Sequence, residues 1–376
     1  MNNLRNIFLL PWIISATIAF LTTPLVIKFA KKIGIIDDPA KNKHPKVIHT
    51  YPVPRGGGIP IFIALLAASL IFLPIDKHLI GILIGATILV VLGVLDDKYN
   101  INPYLRLAIG FVAAAAPIAA GIGISFISNP MGGIINLNQP QISFELFGET
   151  RSIWVASDIF AILWITFLMN IVNMGAKGVD GQLSGVTVIA ALSIAFLSLR
   201  FSADITQWSV IILAAITAGA YFGFLPWHIF PQKIMPGYSG STLAGYLLAV
   251  LSILSTTKVG TLIVVLGVPL IDTGYTIIRR ILNHKSPVWG DRGHLHHRLL
   301  DAGLSKTQVA IFYWTVTAIL GFLALNLHTN PKRPTIKRIV NRCSNKSCQT
   351  HSLDKELFRF CSDIPVRVSF RQIFPK

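Results

Sequence analysis

The chain has 376 residues, 53% of them hydrophobic and only 13% charged, with a formal net charge of +17. Soluble domains carry about 25% charged residues, so this balance excludes a soluble globular enzyme. Apolar runs of roughly 17–24 residues, the length of a membrane-spanning helix, recur from end to end, and the expected fold is an all-α polytopic membrane bundle with about ten transmembrane helices and functional cytoplasmic loops.

The first apolar run, Ile7 to Ile27, is too long for the apolar region of a signal peptide and is read as the first span. The candidate spans are 7–28, 59–75, 79–95, 104–127, 154–172, 183–199, 207–225, 241–256, 260–278 and 308–328. With the N-terminus outside, the connections 28–58, 96–106, 173–182, 226–240 and 279–307 face the cytoplasm and hold 17 Lys and Arg, against five on the other side up to residue 330. The positive-inside rule supports that orientation. No internal repeat is present.

The first cytoplasmic connection contains IIDDPAKNKHPKVIHTYPVPRGGG, residues 35–58. Arg55 followed by Gly56-Gly57-Gly58 suits a phosphate held by backbone N–H groups and a guanidinium; a basic loop touching anionic headgroups fits the same residues. The run Ile80 to Leu95 then ends in Asp96-Asp97. A charge at mid-membrane costs at least ~2.5–3.5 kcal/mol, so the pair belongs at a membrane–water boundary. Side by side, two carboxylates gain from a nearby cation; a solvated helix end is the plainer reading. Arg106 is a candidate partner for them or for a lipid phosphate.

Residues 128–153 on the outer side alternate at Ile142, Phe144 and Leu146 and predict a small hairpin. In NIVNMGAKGVDGQLSG, 170–185, Asn173, Lys177 and Asp180 sit among glycines at a span end. Amide and carboxylate oxygens suit Mg²⁺ and the lysine suits a phosphate, although helix caps use the same residues. Pro236-Gly237-Tyr238-Ser239-Gly240-Ser241 reads as a structural turn leading into a span. Asp272, about two turns from a cytoplasmic end, calls for a partner such as Arg279 or a role in the site.

The last cytoplasmic loop, NHKSPVWGDRGHLHHRLLDAGLS, gathers Arg292, His294, His296, His297 and Arg298. Zinc prefers three or four well-spaced N or S ligands, and histidines packed beside arginines suit a diphosphate better. After residue 328 the character changes. Residues 331–376 hold 11 basic and 3 acidic residues and all three cysteines, Cys343, Cys348 and Cys361. A basic tail outside opposes the charge bias. The expectation is a membrane-embedded domain over 1–328 and a non-membrane tail over 329–376; either one span is missing or miscounted, or the tail comes from a reading-frame error or truncation scar near 327–331. No zinc site or disulfide is assigned there.

IIDDP…HTYPVPRGGG, LGVLDD, PLIDT and KSPVWGDRGHLHHRLLDAGLS, in this order, resemble the polyprenyl-phosphate N-acetylhexosamine 1-phosphate transferases over about residues 5–328. The His-Leu-His-His-Arg form is similar to the undecaprenyl-phosphate N-acetylglucosaminyl branch. The resemblance implies a reaction at the cytoplasmic face: a polyprenyl phosphate attacks the β-phosphorus of a UDP-N-acetylhexosamine, UMP leaves, and Mg²⁺ is required. Such a step starts a cell-envelope glycan, as in lipopolysaccharide or teichoic acid synthesis. Partners are then a polyprenyl phosphate lipid, a nucleotide sugar, the membrane and, by analogy, a second copy in a homodimer; no nucleic acid is expected.

Residue by residue, the resemblance makes Asp96 a base or phosphate-positioning carboxylate and Asp97 its neighbour at the metal. It places Asn173 with Asp97 as metal ligands and Asp180 among the catalytic groups with His294, His296 and His297. Arg55, Asn173, Lys177, Arg292 and Arg298 become substrate-binding. Two departures stand out. Lys177, after one inserted residue, occupies the position of a family acid, and Tyr238 stands where the family has its metal-binding Asp. A phenol that ionises near pH 10 is a poor Mg²⁺ ligand, so the metal site is expected to be altered, with Lys177 supplying part of the metal's charge. A non-catalytic homologue that binds lipid carrier or nucleotide sugar is the alternative. A transporter fits hydropathy alone but would place its charges at mid-membrane within paired repeats.

Overall fold

The computed structural model describes residues 4–40, 48–128, 134–146, 149–201, 204, 206–255, 258–286 and 292–327. The tail from 329, with its cysteines, and Asp291 lie outside the described residues. A π-helical turn, Arg5–Leu9, runs into α1, Leu10–Lys32. The short strands β1, Ile36–Asp37, and β2, Val53–Pro54, pair antiparallel ahead of α2, Gly58–Phe72. Then come α3, Lys77–Tyr99, and α4, Pro103–Ala119. Two hairpins follow: β3, Phe126–Ser128, with β4, Ile134–Asn136, and β5, Gln141–Leu146, with β6, Glu149–Trp154. The second places Ile142, Phe144 and Leu146 on one strand in alternating register, as their spacing predicts.

The second half consists of α5, Val155–Gly175; α6, Gln182–Leu199; α7, Thr206–His228; α8, Gly237–Leu254; α9, Lys258–Val265; α10, Gly267–Leu282; α11, Leu295–Asp301; and α12, Lys306–Leu327. Each of the ten predicted spans contains a helix, but they are not ten equal crossings. Among the described residues, seven helices are long and apolar enough to span a membrane, or eight if α9 and α10, bent by 82° at Leu266, count as one. Two shorter apolar helices, α2 and α4, accompany them. At 15 and 17 residues α2 and α4 fall short, reaching only about 22–26 Å at 1.5 Å per residue, less than the ~30 Å hydrocarbon core.

Local chemistry sets both ends of α3 and the start of α4. The Asp76 side chain caps α3 by accepting from the Leu79 N–H at 2.8 Å, and Asn100 stops it in the left-handed conformation. Asn102 accepts from the Tyr104 N–H at 2.9 Å and Pro103 opens α4, a cap followed by a pre-set first turn. At the centre stands α8, buried at every residue from Gly237 to Ile253 and packed on α2, α3, α5, α6, α7 and α9.

The five connections predicted to be cytoplasmic meet at one end of the bundle. Met235 N–H donates to Pro54 O at 2.8 Å, tying the fourth to the first. Tyr238 N–H reaches Asp97, Lys177 reaches Gly237 O, and the His296 ring lies against Gly178.

Candidate active site

The end of α3 and the start of α8 touch where Gly93 meets Ser239. A Cβ on Gly93 would fall 2.3 Å from the Ser239 Cα, so only glycine lets the helices approach this closely. Asp97, one turn further along α3, meets the first turn of α8. The Tyr238 N–H donates to its Oδ1 at 3.0 Å and the Ser239 hydroxyl to its Oδ2 at 3.4 Å. The carboxylate thus satisfies donors that a helix N-terminus leaves open and faces the positive end of its dipole. Gly237 makes room for it: its φ is +67°, and a Cβ there would sit 2.0 Å from Asp97 Oδ2.

The end of α5 supplies the third side. Lys177 Nζ donates to Asn173 Oδ1 at 3.1 Å and to Gly237 O at 3.2 Å. Ser241 Oγ donates to the same Asn173 oxygen at 2.6 Å. Asp97 feels the positive charges of both Lys177 and Arg55 and the negative charge of Asp96. The loop carrying Lys177 is clamped by Gln182, whose Oε1 accepts from the N–H groups of Gly178 and Val179 while its amide donates to Gly175 O.

Asp96 faces the other way. It accepts from Arg106 Nη1 at 3.0 and 3.2 Å and from the Ile101 N–H at 3.0 Å. The Arg106 guanidinium also lies over the Tyr238 ring, 4.9 Å from its centroid, so the phenol is held as an aromatic lid on that ion pair. Arg55 pairs with buried Asp37, beside His49.

The last loop forms an adjoining wall. Asp272 holds it in place: its Oδ2 lies 2.9 Å from His294 Nδ1 and its Oδ1 accepts from the Leu295 N–H at 2.7 Å. The histidine loop is thus a partner of Asp272. His294 stacks on His296, which tilts against His297. The His296 ring occupies the space above Gly178, where a Cβ would fall 2.1 Å from its Cγ. Burial, reinforced by the neighbouring His297 and His294, pushes the His296 imidazole down to about 3. Asp180 is buried, with Lys306 Nζ 3.9 Å from Oδ2, and burial raises its carboxyl above the usual range.

The predicted residues therefore fall into groups. Asp97, Asn173 and Lys177 converge, with Arg55 in electrostatic reach. Asp96 joins them through Arg106 and Tyr238, and His294, His296, His297 and Asp180 sit behind the Lys177 loop. Two do not join. Arg292 makes an exposed pair with Asp301 at 2.8 Å, and exposed Arg298 covers the Tyr275 ring. Sequence reasoning passed over Ser239 and Ser241, because the PGYSGS turn has no charge; its signal was the glycine-serine pattern at a helix start.

The magnesium implied by the resemblance was tested against the donor set. Mg²⁺ demands near-octahedral oxygen coordination and favours carboxylates. Here the Asn173 oxygen is occupied by an ammonium and a hydroxyl, Asp97 accepts from the start of α8, and Asp96 is paired with Arg106. Among the described residues no group of three or more His, Cys, Asp or Glu is placed to hold a metal ion. As they stand, these oxygens are engaged by protein donors.

Comparison with known proteins gives this geometry its context. The model of "Glycosyl transferase family 4" matches residues 79–256. A Bacillus subtilis protein named "Probable undecaprenyl-phosphate N-acetylglucosaminyl 1-phosphate transferase" is 32% identical over 323 residues, 84% of each chain. A Thermotoga maritima "Undecaprenyl-phosphate alpha-N-acetylglucosaminyl 1-phosphate transferase" is 28% identical over 83% of this chain and 88% of its own. A Mycobacterium leprae "Decaprenyl-phosphate N-acetylglucosaminephosphotransferase" is 25% identical over 85% and 83%. With its helical membrane bundle and its carboxylate, amide and cation at one end, the chain belongs to glycosyl transferase family 4, the polyprenyl-phosphate N-acetylhexosamine 1-phosphate transferases.

Proposed function

We propose that the protein transfers N-acetylglucosamine 1-phosphate from UDP-N-acetylglucosamine to undecaprenyl phosphate at the cytoplasmic face of a bacterial cell membrane. An oxygen of the lipid phosphate attacks the β-phosphorus. The bond from that phosphorus to the bridging oxygen breaks, and UMP leaves with the bridging oxygen and the bonding electrons. The observation that carries this reading is the convergence of Asp97, Asn173 and Lys177 where α3, α5 and α8 end. Both substrates are phosphates, and catalysis of phosphoryl transfer is chiefly positioning and charge stabilisation. The names of all three relatives support the sugar and those of two of them the undecaprenyl carrier, and the excess of Lys and Arg in the five connections supports the cytoplasmic orientation.

In this reading Lys177 and Arg55 draw the phosphates in, and Asn173 and Asp97 fix Lys177 and the start of α8. Asp96 acts through Arg106 as a positioning residue. Asp180 and the loop of His294, His296 and His297, with Arg292 and Arg298 at its rim, receive the nucleotide sugar. Members of the family use Mg²⁺; the metal site in this chain is altered at Lys177 and Tyr238. The test supplies membranes containing the protein with undecaprenyl phosphate and labelled UDP-N-acetylglucosamine. UMP release with transfer of label into lipid is expected. Nucleotide-sugar binding without UMP from any UDP-hexosamine would make the protein a non-catalytic homologue.

A further inference from the structure

Within the reading of Asp180 as part of the nucleotide-sugar site, we propose that Lys306 is a positioning residue for that carboxylate. Its ammonium reaches from the start of α12 and holds Asp180 in place for the substrate.

Lys306 is the first residue of α12. A capping box fixes that end: the Ser305 N–H donates to Gln308 Oε1 at 2.8 Å, and the Gln308 N–H to Ser305 Oγ at 3.3 Å. The first turn of a helix is the positive end of its dipole and favours acidic side chains. This helix has no acid in its first turn and opens on a lysine. The charge is poorly placed for its own helix, and its partner lies outside it. Lys306 Nζ sits 3.9 Å from Asp180 Oδ2 and 5.4 Å from the centroid of the Phe230 ring, over which it packs. The lysine side chain is 18% exposed and that of Asp180 only 1%.

A second contact ties α12 to the loop that carries Asp180. Gly181 turns that loop with a φ of +83°, and its carbonyl accepts from the Trp314 indole N–H at 3.3 Å. The same indole lies against Gly185, where a Cβ would fall 2.0 Å from Trp314 Nε1. Trp314 and the Gln182 clamp thus set the backbone of the loop, and Lys306 sets the carboxylate.

Asp180 depends on that cation. Among the described residues its Oδ2 accepts no hydrogen bond, and a buried acceptor is costly to leave so. Ionised, the carboxylate can accept at both oxygens from donors on an incoming ligand. Burial pushes the carboxyl above its usual range, and Lys306 is the strongest influence the other way, ahead of the Gln232 backbone and His49. Tyr51 faces it from the first connection, and Lys177 lies three residues earlier on its own loop.

The test uses the full-length protein in detergent with undecaprenyl phosphate, UDP-N-acetylglucosamine and Mg²⁺. UMP release is followed across pH for Lys306→Met, Lys306→Arg, Asp180→Asn and the double variant of Lys306→Met with Asp180→Asn. Lys306→Met should raise the KM for the nucleotide sugar about tenfold, the scale of one hydrogen bond to a charged group, and leave the KM for undecaprenyl phosphate unchanged. Without the cation the carboxyl holds its proton to higher pH, so the acid limb of kcat/KM for the nucleotide sugar should move up by about one pH unit. Lys306→Arg should restore both. In the Asp180→Asn background, Lys306→Met should cost nothing further. A KM and an acid limb that stay put in Lys306→Met would overturn the proposal, as would an equal loss with Asp180→Asn already in place. A lower thermal midpoint with an unmoved acid limb would make Lys306 merely structural and overturn it too. If no UMP forms under any condition, the transferase reading fails separately, and calorimetric binding of UDP-N-acetylglucosamine decides. Binding that Lys306→Met weakens in the wild type but not in Asp180→Asn upholds the role; equal binding with and without Lys306, or none in the wild type, sinks it.

Discussion

Gly237→Ala offers the sharpest probe of the site's packing. The new Cβ would lie 2.0 Å from Asp97 Oδ2, whereas ordinary contact begins at 3.4 Å, so carboxylate and helix start must part by about 1.4 Å. That movement breaks the 3.0 Å bond from the Tyr238 N–H. Alanine at a φ of +67° adds about 1–2 kcal/mol of backbone strain, and overpacking adds about 1–3 kcal/mol. A displacement near 1 Å costs on the order of 10²-fold in rate. UMP release per folded molecule should therefore fall about a hundredfold, and the thermal midpoint in detergent should drop. Gly303→Ala is the control, because Gly303 has a φ of +96° with nothing within 4 Å of its Cβ position. It carries the strain without the clash and should lower the midpoint while leaving turnover per folded molecule intact. A Gly237→Ala protein that turns over like the wild type would show that Asp97 does not need its present distance from α8.

Arg106→Ala should destabilise the protein by about 3–5 kcal/mol, because it strands buried Asp96. Arg292→Ala, which removes an exposed pair with Asp301, should change stability by no more than about 1 kcal/mol; equal midpoint shifts would contradict both. His296, with its imidazole at about 3 in the folded protein and an ordinary value of 6.5 when unfolded, binds fewer protons folded than unfolded. Its contribution to stability is therefore full above pH 6.5 and declines as the pH falls toward 3. His296→Gln should flatten the fall of the thermal midpoint between neutral and acid pH, and an unchanged slope counts against this. Gly178→Val forces a side chain into the His296 ring; the Michaelis constant for the nucleotide sugar should rise, and unaltered kinetics would show that the histidine loop does not depend on this contact.

Long apolar runs made the helices legible, because only a helix satisfies its own backbone in lipid. Their unequal reach was less visible. The 82° break before Gly267 and the short α2 and α4 lie inside stretches that read as continuous hydropathy. The charged members of the site were visible too, since charges gathered at one face of a membrane chain need a reason. Asp272 was recognised as needing a partner, but the residue that met its need, His294, is 22 positions away and no local pattern links them. Ser239 and Ser241 escaped notice because their importance comes from which backbone they approach. Arg292 and Arg298 show the converse: proximity in sequence to the histidines did not bring them to the same wall.

The burial of α8 bears on how the protein is made. It is the least apolar of the seven long spans and the one most enclosed by protein. A segment that ends up away from lipid is released from the demand to dissolve in lipid, and its sequence can hold Ser239, Ser241, Thr242 and Ser252 along one helix. The same freedom makes it a weak substrate for insertion on its own. During synthesis it emerges after α3 and α5, the helices it packs on most heavily with its small residues. Its entry into the membrane is then an act of assembly against a waiting surface, and the first turn of that helix, which receives Asp97 and Lys177, is completed in the same event.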